Sequence, residues 1–381
     1  MIELENHSAF PAMLYEKLGY KDRVFDVLAI KGTFRIKTNG TRADLADEQE
    51  PLVMADTYWG EDPLTSSLRY ETDLILGKLR TDVHVVGHAY SAQGQPQPDW
   101  EVGLEIGNIQ KKLRVYGPRQ WYYRSLLWRL DRAEPASQVP IRYERAFGGQ
   151  YTPRKQSAPV VFESNPIGVG LYDLSQLDKT GRYAAAQWGL PKAPMIADIT
   201  AKPQPLGFGP LSRWWTQRSQ YAGTYDQAWK DNTWPFYPAD FKPEFFNSAP
   251  ADQQATGFLQ GNEHLVLRGL LPEAEVMETA LGAYQPLCVV EDDKAELHRF
   301  NPRLETVTID TDARQIHHTW RLTLPRGFGA RHIVLGALTP PPERGALARH
   351  YPQPVKFYAM ARNSEKEKLD RLDWLLGKED T

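Results

Sequence analysis

Acidic and arginine side chains in two parts of the chain have the chemistry of a hydrolytic site. The stretch IRYERAFGG places Glu144 between Arg142 and Arg145, which suits either a charged catalytic pair or a carboxylate that arginines neutralise. Asp226 and Asp240 follow in an aromatic-rich region, and a retaining glycosidase would need two carboxyl groups about 5–5.5 Å apart. Because ion-pair networks imitate active sites, we favour a structural role for Glu144.

The nine histidines do not form a metal-binding pattern. His84 and His88 lie on one face of a predicted strand, but a rise of about 3.3 Å per residue separates them by roughly 13 Å. His317 and His318 point to opposite faces of another predicted strand, and no H-x-E or H-E-x-x-H pattern accompanies either pair. The single cysteine, Cys288, lies in the apolar run PLCVV and is predicted to be buried. The sequence therefore predicts no metal site.

Motifs for nucleophiles and nucleotides are missing from the sequence. The chain has neither a G-x-S-x-G turn nor a Walker A loop. Gly168-Val169-Gly170 and Gly207-Phe208-Gly209 begin like dinucleotide-binding motifs but lack the third glycine and a surrounding βαβ unit. We expect turn glycines at both places, no cofactor, no catalytic residue and no enzymatic activity.

Strands are the elements that would position these residues. Period-two alternation and β-branched residues mark Val24–Lys37, Asp82–Tyr90, Trp100–Ile106, Lys112–Tyr116, Glu263–Leu267, Pro286–Val290, Glu305–Asp310 and His318–Leu324. Strands that follow one another without helical patterns predict a mainly β fold. We expect antiparallel sheets, sandwich-like or open-barrel-like, with long loops rich in proline, glycine and aromatic residues.

Two segments have a different pattern. Trp121–Arg132 fits either a short helix or a continuation of the sheet. Near the end of the chain, a capping box of Ser364 and Glu367 precedes leucines at helical spacing, and Gly377 follows them. This pattern predicts a C-terminal α-helix.

The most aromatic stretch runs from Gly207 to Gln254. Twelve of the 41 residues in 207–247 are Phe, Trp or Tyr, against 11% in the whole chain. Recurrent prolines rule out a long helix or a central strand from Trp234 onwards, and large rings bury roughly 150–250 Å² each. We expect an extended ribbon pressed against a folded body, with a minority of its rings contacting a partner. Because arginine and aromatic residues are enriched at interfaces, the predicted partner-binding residues are Arg213, Trp214, Trp215, Arg218, Tyr221 and Tyr225.

Composition and length fit a globular protein. The 381 residues are 41% hydrophobic and 24% charged. A formal charge of −3 supplies no basic field for nucleic acid or an anionic membrane. The N-terminus lacks a signal-peptide pattern, and no apolar run approaches the roughly 20 residues that cross a bilayer. We therefore expect a cytoplasmic protein without nucleic-acid binding or membrane insertion.

Turn-forming residues divide the chain into four regions. We predict an N-terminal β-rich region (1–132), a loop-rich aromatic and proline-rich region packed on the sheets (133–260), a C-terminal β-rich region (261–345) and a tail with the amphipathic helix (346–381). We also expect residues 20–330 to form one continuous domain.

Several motifs in one order resemble the domain-of-unknown-function family 2169. They include SLRY at 67–70, KLRTD at 78–82, VGHAY at 86–90, YERAFGG at 143–149, NPIGVG at 165–170, GFGP at 207–210, GTYD at 223–226 and PADFKPEFFNSAPADQ at 238–253. Pro118 and the pair Ser91-Ala92 depart from the family pattern. On this resemblance the structural motif residues are Tyr143, Glu144, Arg145, Phe147, Gly148, Gly149, Asp226, Trp229, Asp252 and Gln253.

The resemblance implies a bacterial adaptor or chaperone of type VI secretion. Such a protein would bind an effector toxin and pass it to the spike, a valine-glycine repeat trimer often tipped by a proline-alanine-alanine-arginine repeat protein. The alternative is a carbohydrate-active enzyme or carbohydrate-binding module that stacks sugars on the aromatic residues of 207–247. Glu144, Asp226 and Asp240 would then be its carboxylates.

Overall fold

The computed structural model describes residues 2–19, 22–37, 42–124, 127–153, 157–171, 192–197 and 206–338. The strands, numbered in chain order, are β1 (Glu3–Asn6), β2 (Ala12–Leu18), β3 (Val24–Arg35), β4 (Asp44–Leu45), β5 (Thr57–Tyr58), β6 (Leu68–Tyr70), β7 (Asp82–Val86), β8 (His88–Tyr90), β9 (Asp99–Ile106), β10 (Ile109–Tyr116), β11 (Trp121–Arg124), β12 (Leu127–Leu130), β13 (Gln138–Pro140), β14 (Phe147–Gly148), β15 (Gln150–Tyr151), β16 (Val160–Val161), β17 (Val169–Gly170), β18 (Ile196–Ala197), β19 (His264–Leu271), β20 (Ala274–Ala280), β21 (Gln285–Asp292), β22 (Leu297–Phe300), β23 (Arg303–Asp310), β24 (Gln315–Pro325) and β25 (Ala330–Leu338).

Helices are few and short in the described ranges. The α-helices there are α1 (Thr216–Ser219) and α2 (Gln227–Asn232), and short 3₁₀ helices lie at Ala92–Gly94, Tyr143–Arg145, Pro243–Phe246, Ala251–Gln253 and Arg326–Phe328. The prediction of a mainly β fold is confirmed. Trp121–Arg124 and Leu127–Leu130 form the antiparallel pair β11–β12, so the sheet alternative is correct for these residues. The predicted C-terminal helix lies outside the described residues.

Three larger sheets build the body of the protein. The central sheet has the order β2-β3-β24-β23-β7, with β4 also paired to β3. A second sheet has the order β18-β10-β9-β19-β20, and a third has the order β1-β25-β21-β22. Most pairs are antiparallel, as expected, but β1–β25, β7–β23 and β14–β17 are parallel. Leu28, Val102 and Leu335 belong to one apolar cluster, so the three sheets share a core.

The central sheet is covered on both faces. Alternation along β24 predicts one polar, solvent-facing side, yet Thr319 and Arg321 on that side are each 3% exposed. The Arg321 guanidinium donates to Glu305 Oε2 and to the carbonyl of Asp73, both at 2.7 Å. Thr319 Oγ1 donates to Asp73 Oδ1 at 2.9 Å. The segment around Asp73 therefore covers the polar face, and buried ion pairs replace the expected contact with water.

Candidate protein-interaction surface

The aromatic ribbon, residues 207–254, begins inside the core. The Tyr143 hydroxyl donates to the carbonyl of Gly209 at 2.8 Å. A Cβ atom at Gly207 would lie 2.4 Å from Tyr143 Cε1, so this close approach requires glycine. The Trp215 ring packs edge-on against Tyr143 with centroids 5.0 Å apart, and both side chains are 1% exposed. The first part of the ribbon is therefore structural.

A buried glutamine holds the end of the ribbon. Gln253 Nε2 donates to the carbonyls of Val83 and Phe208, each at 2.8 Å. Its Oε1 accepts from Lys111 Nζ at 2.8 Å, and Lys111 also bonds to Asp252 Oδ1 at 3.0 Å. One amide thus joins both ends of the ribbon to β7. This explains why the motif residues Asp252 and Gln253 matter to the fold.

Four buried charges lie beneath the middle of the ribbon. Lys78 Nζ lies 2.9 Å from Glu71 Oε2 and 2.6 Å from Asp82 Oδ2. Arg218 of α1 bonds to Glu71 Oε1 at 2.7 Å. Ser248, near the end of the ribbon, donates its N–H to Asp82 at 2.6 Å and its hydroxyl to Glu71 at 2.7 Å. We call Glu71, Lys78, Asp82 and Arg218 the buried charge network.

Neighbouring charges keep the Glu71 carboxylate ionised. Burial alone would raise the pKa of Glu71, but Lys78 and Arg218 hold that pKa far below its usual range. Burial, with a smaller contribution from Lys78, lowers the pKa of His84 to about 4. The neutral His84 ring lies 3.2 Å from Ser248 Oγ. Loss of one partner would leave an uncompensated buried charge, which typically costs about 3–5 kcal/mol.

Trp214 lies on the surface although its neighbour Trp215 is buried. Its ring is 38% exposed, and Nε1 donates to the carbonyl of Pro63 at 3.3 Å. The next residue after Pro63, Leu64, is 65% exposed. Arg213 Nε lies 3.1 Å from Asp56 Oδ2, an ion pair at the same surface. An exposed indole is therefore fixed in place between a loop and the ribbon.

A second exposed aromatic group surrounds α2. The Asp226 carboxylate caps this helix by accepting from Trp229 N at 2.8 Å. Trp229 Nε1 donates to the carbonyl of Phe236 at 2.9 Å, and its ring contacts Tyr225 with centroids 4.8 Å apart. Tyr225 is 52% exposed and Trp234 is 66% exposed. We call Trp214, Tyr225 and Trp234 the exposed ribbon aromatics.

The predicted partner-binding residues separate into two groups. The side chains that reach the surface at least in part are Arg213, Trp214, Tyr221 and Tyr225. Trp215 and Arg218 are 1% exposed, because the first packs on Tyr143 and the second pairs with Glu71. These two are therefore not available to a partner, whereas partner contact by the other four stays a prediction. Trp234 is a residue that sequence reasoning missed; its position before Pro235, beyond the end of α2, was the signal.

The two glycine-containing motifs, YERAFGG and NPIGVG, pack on each other. Asn165 Nδ2 donates to the carbonyls of Tyr143 and Phe147 at 2.9 and 3.0 Å, and Gly149 N donates to the carbonyl of Asn165 at 2.8 Å. Gly148 lies in the parallel pairing of β14 with β17. Arg145 of the same motif is exposed. The motif glycines therefore serve chain packing, and Gly170 lies in strand β17 rather than in the expected turn.

The three candidate carboxylates have separate structural partners. Glu144 accepts from Ser67 N at 2.8 Å and from Ser67 Oγ at 2.6 Å. Asp240 accepts from Thr224 N at 2.9 Å and from Thr224 Oγ1 at 2.7 Å, and these bonds lower its pKa. Asp226 is the helix cap. Glu144 is thus held by a residue 77 positions away in sequence, whereas Asp240 and Asp226 are held by donors in their own segment.

One set of side chains could hold a metal ion. Asp292, Glu296 and His298 each offer one ligand atom, and these atoms lie within 4.8 Å of one another. They come from the turn between β21 and β22, where Asp292 Oδ1 accepts from Lys294 N and Glu296 N, both at 2.9 Å. His298 Nε2 lies 3.0 Å from Asp292 Oδ2. The spacing D-x-x-x-E-x-H was the signal that sequence reasoning missed.

The other candidate metal ligands have different environments. His88 Nδ1 lies 2.9 Å from Asp312 Oδ2 near the surface. His317 and His318 are buried, and burial lowers the pKa of each to about 3. Cys288 is buried in β21, and burial raises the pKa of its thiol.

The chain matches one family model. The model describes an "uncharacterized protein conserved in bacteria (DUF2169)", and it matches residues 23–321. No curated protein and no solved structure matches the chain. None of the helices in the described ranges is long and apolar enough to span a membrane.

Proposed function

Because the chain belongs to DUF2169, a family of uncharacterized proteins conserved in bacteria, we propose that it is an adaptor. In this proposal the protein binds a type VI secretion effector toxin in the cytoplasm and helps load it onto the spike complex. It acts by binding alone and catalyses no reaction. The spike trimer, its repeat-containing tip protein or both are its second partner.

The observation that carries the proposal is the exposure of large aromatic rings on an anchored backbone. Trp214, Tyr225 and Trp234 are 38%, 52% and 66% exposed. Tryptophan and tyrosine dominate the binding energy of protein interfaces, with hot-spot side chains contributing about 2 kcal/mol or more. Exposed rings of this size lose apolar contact with water when a partner covers them.

Anchoring by the buried charge network supports the same proposal. Arg218 ties α1 to Glu71, and α1 begins two residues after Trp214 in the chain. Lys78 joins Glu71 to Asp82, and Asp82 accepts a hydrogen bond from the backbone N–H of Ser248. A surface that is already ordered loses little conformational entropy when a partner binds, so its contacts add directly to affinity.

A pull-down from the native cytoplasm tests the proposal. Tagged wild-type protein is expected to retain a toxin-like protein together with spike components. A variant with Trp214→Ala, Tyr225→Ala and Trp234→Ala should lose them. The matched control replaces two exposed apolar residues outside the ribbon, Leu297→Ala and Val276→Ala, and should behave like the wild type.

Two outcomes would contradict the proposal. Retention of the same proteins by the aromatic triple variant would show that the exposed ribbon aromatics are not the contact. Recovery of the wild-type bait alone, or with glycans and without protein, would favour the carbohydrate-binding alternative.

A further inference from the structure

The guanidinium groups of two arginines lie over the indole ring of Trp59, next to the β5–β6 hairpin. Arg142 Cζ is 3.8 Å from the centroid of the Trp59 ring, and Arg69 Cζ is 4.5 Å from it. Arg69 also lies 5.0 Å from the Tyr70 ring. Stacking on an aromatic face holds a guanidinium in one plane and leaves the donors on its edge available.

The Nε atoms of these arginines lack hydrogen-bond acceptors among the described residues. Both atoms are buried, and neither has an acceptor there. The nearest ion pair, from Arg69 Nη2 to Asp310 Oδ2, is long at 3.6 Å. A buried donor without a partner costs about 1–3 kcal/mol.

The carboxylates near these arginines are engaged by other donors. Both oxygens of Glu144 accept from Ser67. Asp312 accepts from Tyr90 Oη and lies 2.9 Å from His88 Nδ1. Asp310 accepts from the hydroxyl of Tyr70 and from the backbone of residues 312 and 313. Among the described residues, these acids therefore contribute charge near the arginines while their oxygens accept hydrogen bonds from other groups.

Arg142 remains cationic, and the Arg69 side chain is accessible. Burial lowers the pKa of Arg142, while Glu144 raises it, and a guanidinium starts from a value so high that it stays protonated. The Arg69 side chain is 40% exposed. The site therefore offers positive charge and planar donors to an external group.

We infer that Trp59, Arg69 and Arg142 form a binding site for the carboxylates of an acidic segment of a protein partner. Planar guanidinium groups match carboxylates in a two-pronged geometry, and two of them in one place favour consecutive acidic residues. The inference rests on the proposed adaptor function, whose partner it describes further. The loop between β5 and β6 also carries Leu64 and the Pro63 carbonyl bound by Trp214, so the acidic segment would lie on the side of the loop that carries Trp214.

Fluorescence anisotropy with a defined probe tests this site. The probe is a fluorescein-labelled octapeptide of alternating Asp and Glu, and a peptide of alternating Asn and Gln is its neutral control. Wild-type protein should bind the acidic peptide and not the neutral one, and added salt should weaken binding. Arg142→Gln and Arg69→Gln should each weaken binding about tenfold, the scale of a lost charged hydrogen bond. Arg142→Lys keeps the charge without the planar fork and should weaken binding too.

The matched control is Arg35→Gln, which removes the same charge from an exposed ion pair with Asp47. It should bind like the wild type, and circular dichroism should show all variants folded. Equal losses in Arg35→Gln and Arg142→Gln would overturn the inference, because attraction would then depend on overall charge. Lack of peptide binding at low salt, or binding of inorganic phosphate alone, would also overturn it.

The pull-down separates this inference from the adaptor proposal. If Arg142→Gln retains the client as well as wild type while the aromatic triple variant loses it, the adaptor proposal stands and the acidic-segment inference is wrong. If no variant and no wild-type bait retains a client, the adaptor proposal fails, and the peptide titration alone decides whether the carboxylate site exists.

Discussion

Arg218 and Glu71 form a buried ion pair, 2.7 Å between Nη2 and Oε1, across 147 positions of sequence. The pair joins α1 of the ribbon to the segment that follows β6. Arg218 also donates to the carbonyl of Leu211 at 2.8 Å and to that of Phe245 at 3.1 Å. One guanidinium therefore organises a turn, a helix and the central body.

Arg218→Met should destabilise the protein by about 3–5 kcal/mol, because Glu71 would lose a cation while remaining buried. Urea unfolding followed by circular dichroism measures the change. Arg213→Met is the matched control; its partner Asp56 lies at the surface, so the expected cost is below about 1 kcal/mol. Equal midpoints for the two variants would contradict the assigned role of the buried charge network.

Gly207→Ala should also destabilise the fold strongly. The new Cβ would lie 2.4 Å from Tyr143 Cε1, and the ring is fixed by its hydroxyl bond to Gly209 and by Trp215. Gly257→Ala is the control, since a Cβ there meets nothing within 4 Å. We expect a clear fall in Tm for the first and little change for the second. A Gly207→Ala protein as stable as wild type would show that Tyr143 can move.

Stability should fall as the pH drops below about 6.5. Burial among Phe34 and Trp320 lowers the pKa of His318 from its usual 6.5 to about 3, and its ring nitrogens have no acceptor or donor in the described residues. Between these two pKa values the unfolded chain takes up a proton that the folded chain excludes, so acid favours unfolding. At pH 5 the lowered pKa of His318 reduces the free energy of unfolding by about 2 kcal/mol.

His318→Phe should reduce the slope of this pH dependence by about one proton, because an aromatic ring remains while the titrating nitrogens are lost. His84 and His317, whose pKa values are also lowered, keep the rest of the slope. Urea unfolding at pH 7, 6 and 5 measures it. His264→Phe is the control, since that side chain is 64% exposed. Its stability should depend on pH as steeply as that of the wild type. A His318→Phe protein with the wild-type slope would place the acid sensitivity elsewhere.

Trp234→Ala should leave folding stability within about 0.5 kcal/mol of wild type, since the ring is 66% exposed. Client retention should nonetheless fall. A calorimetric scan and a quantitative pull-down on the same preparation give both values. Loss of stability together with retention of the client would show that Trp234 supports the fold and does not contact the partner.

Period-two patterns could predict the strands of the three sheets, because alternation reports burial on one side of a chain. They could not predict that Asp73 covers the polar side of β24, since that contact depends on a segment far away in sequence. The same limit applies to the ribbon. Trp214 and Trp215 are adjacent and identical in type, and only their partners, Pro63 and Tyr143, separate an exposed ring from a buried one.

The candidate site was predictable in composition and not in detail. Arginine mixed with aromatic residues pointed to the ribbon, and four of the six named side chains reach the surface at least in part. Trp59, Arg69 and Arg142 come from separate motifs, so no local pattern could bring them together.

The position of β24 between β3 and β23 affects how the chain folds during its synthesis. Translation releases β2 and β3 first, yet the inner edge of β3 has no partner until the ribosome has added β24, which ends at Pro325. Until then the nascent chain carries an apolar strand edge, and pairing over such sequence distances is slow. Truncation before Pro325 should therefore yield aggregates rather than a smaller folded unit, and the chain would itself benefit from a chaperone during synthesis.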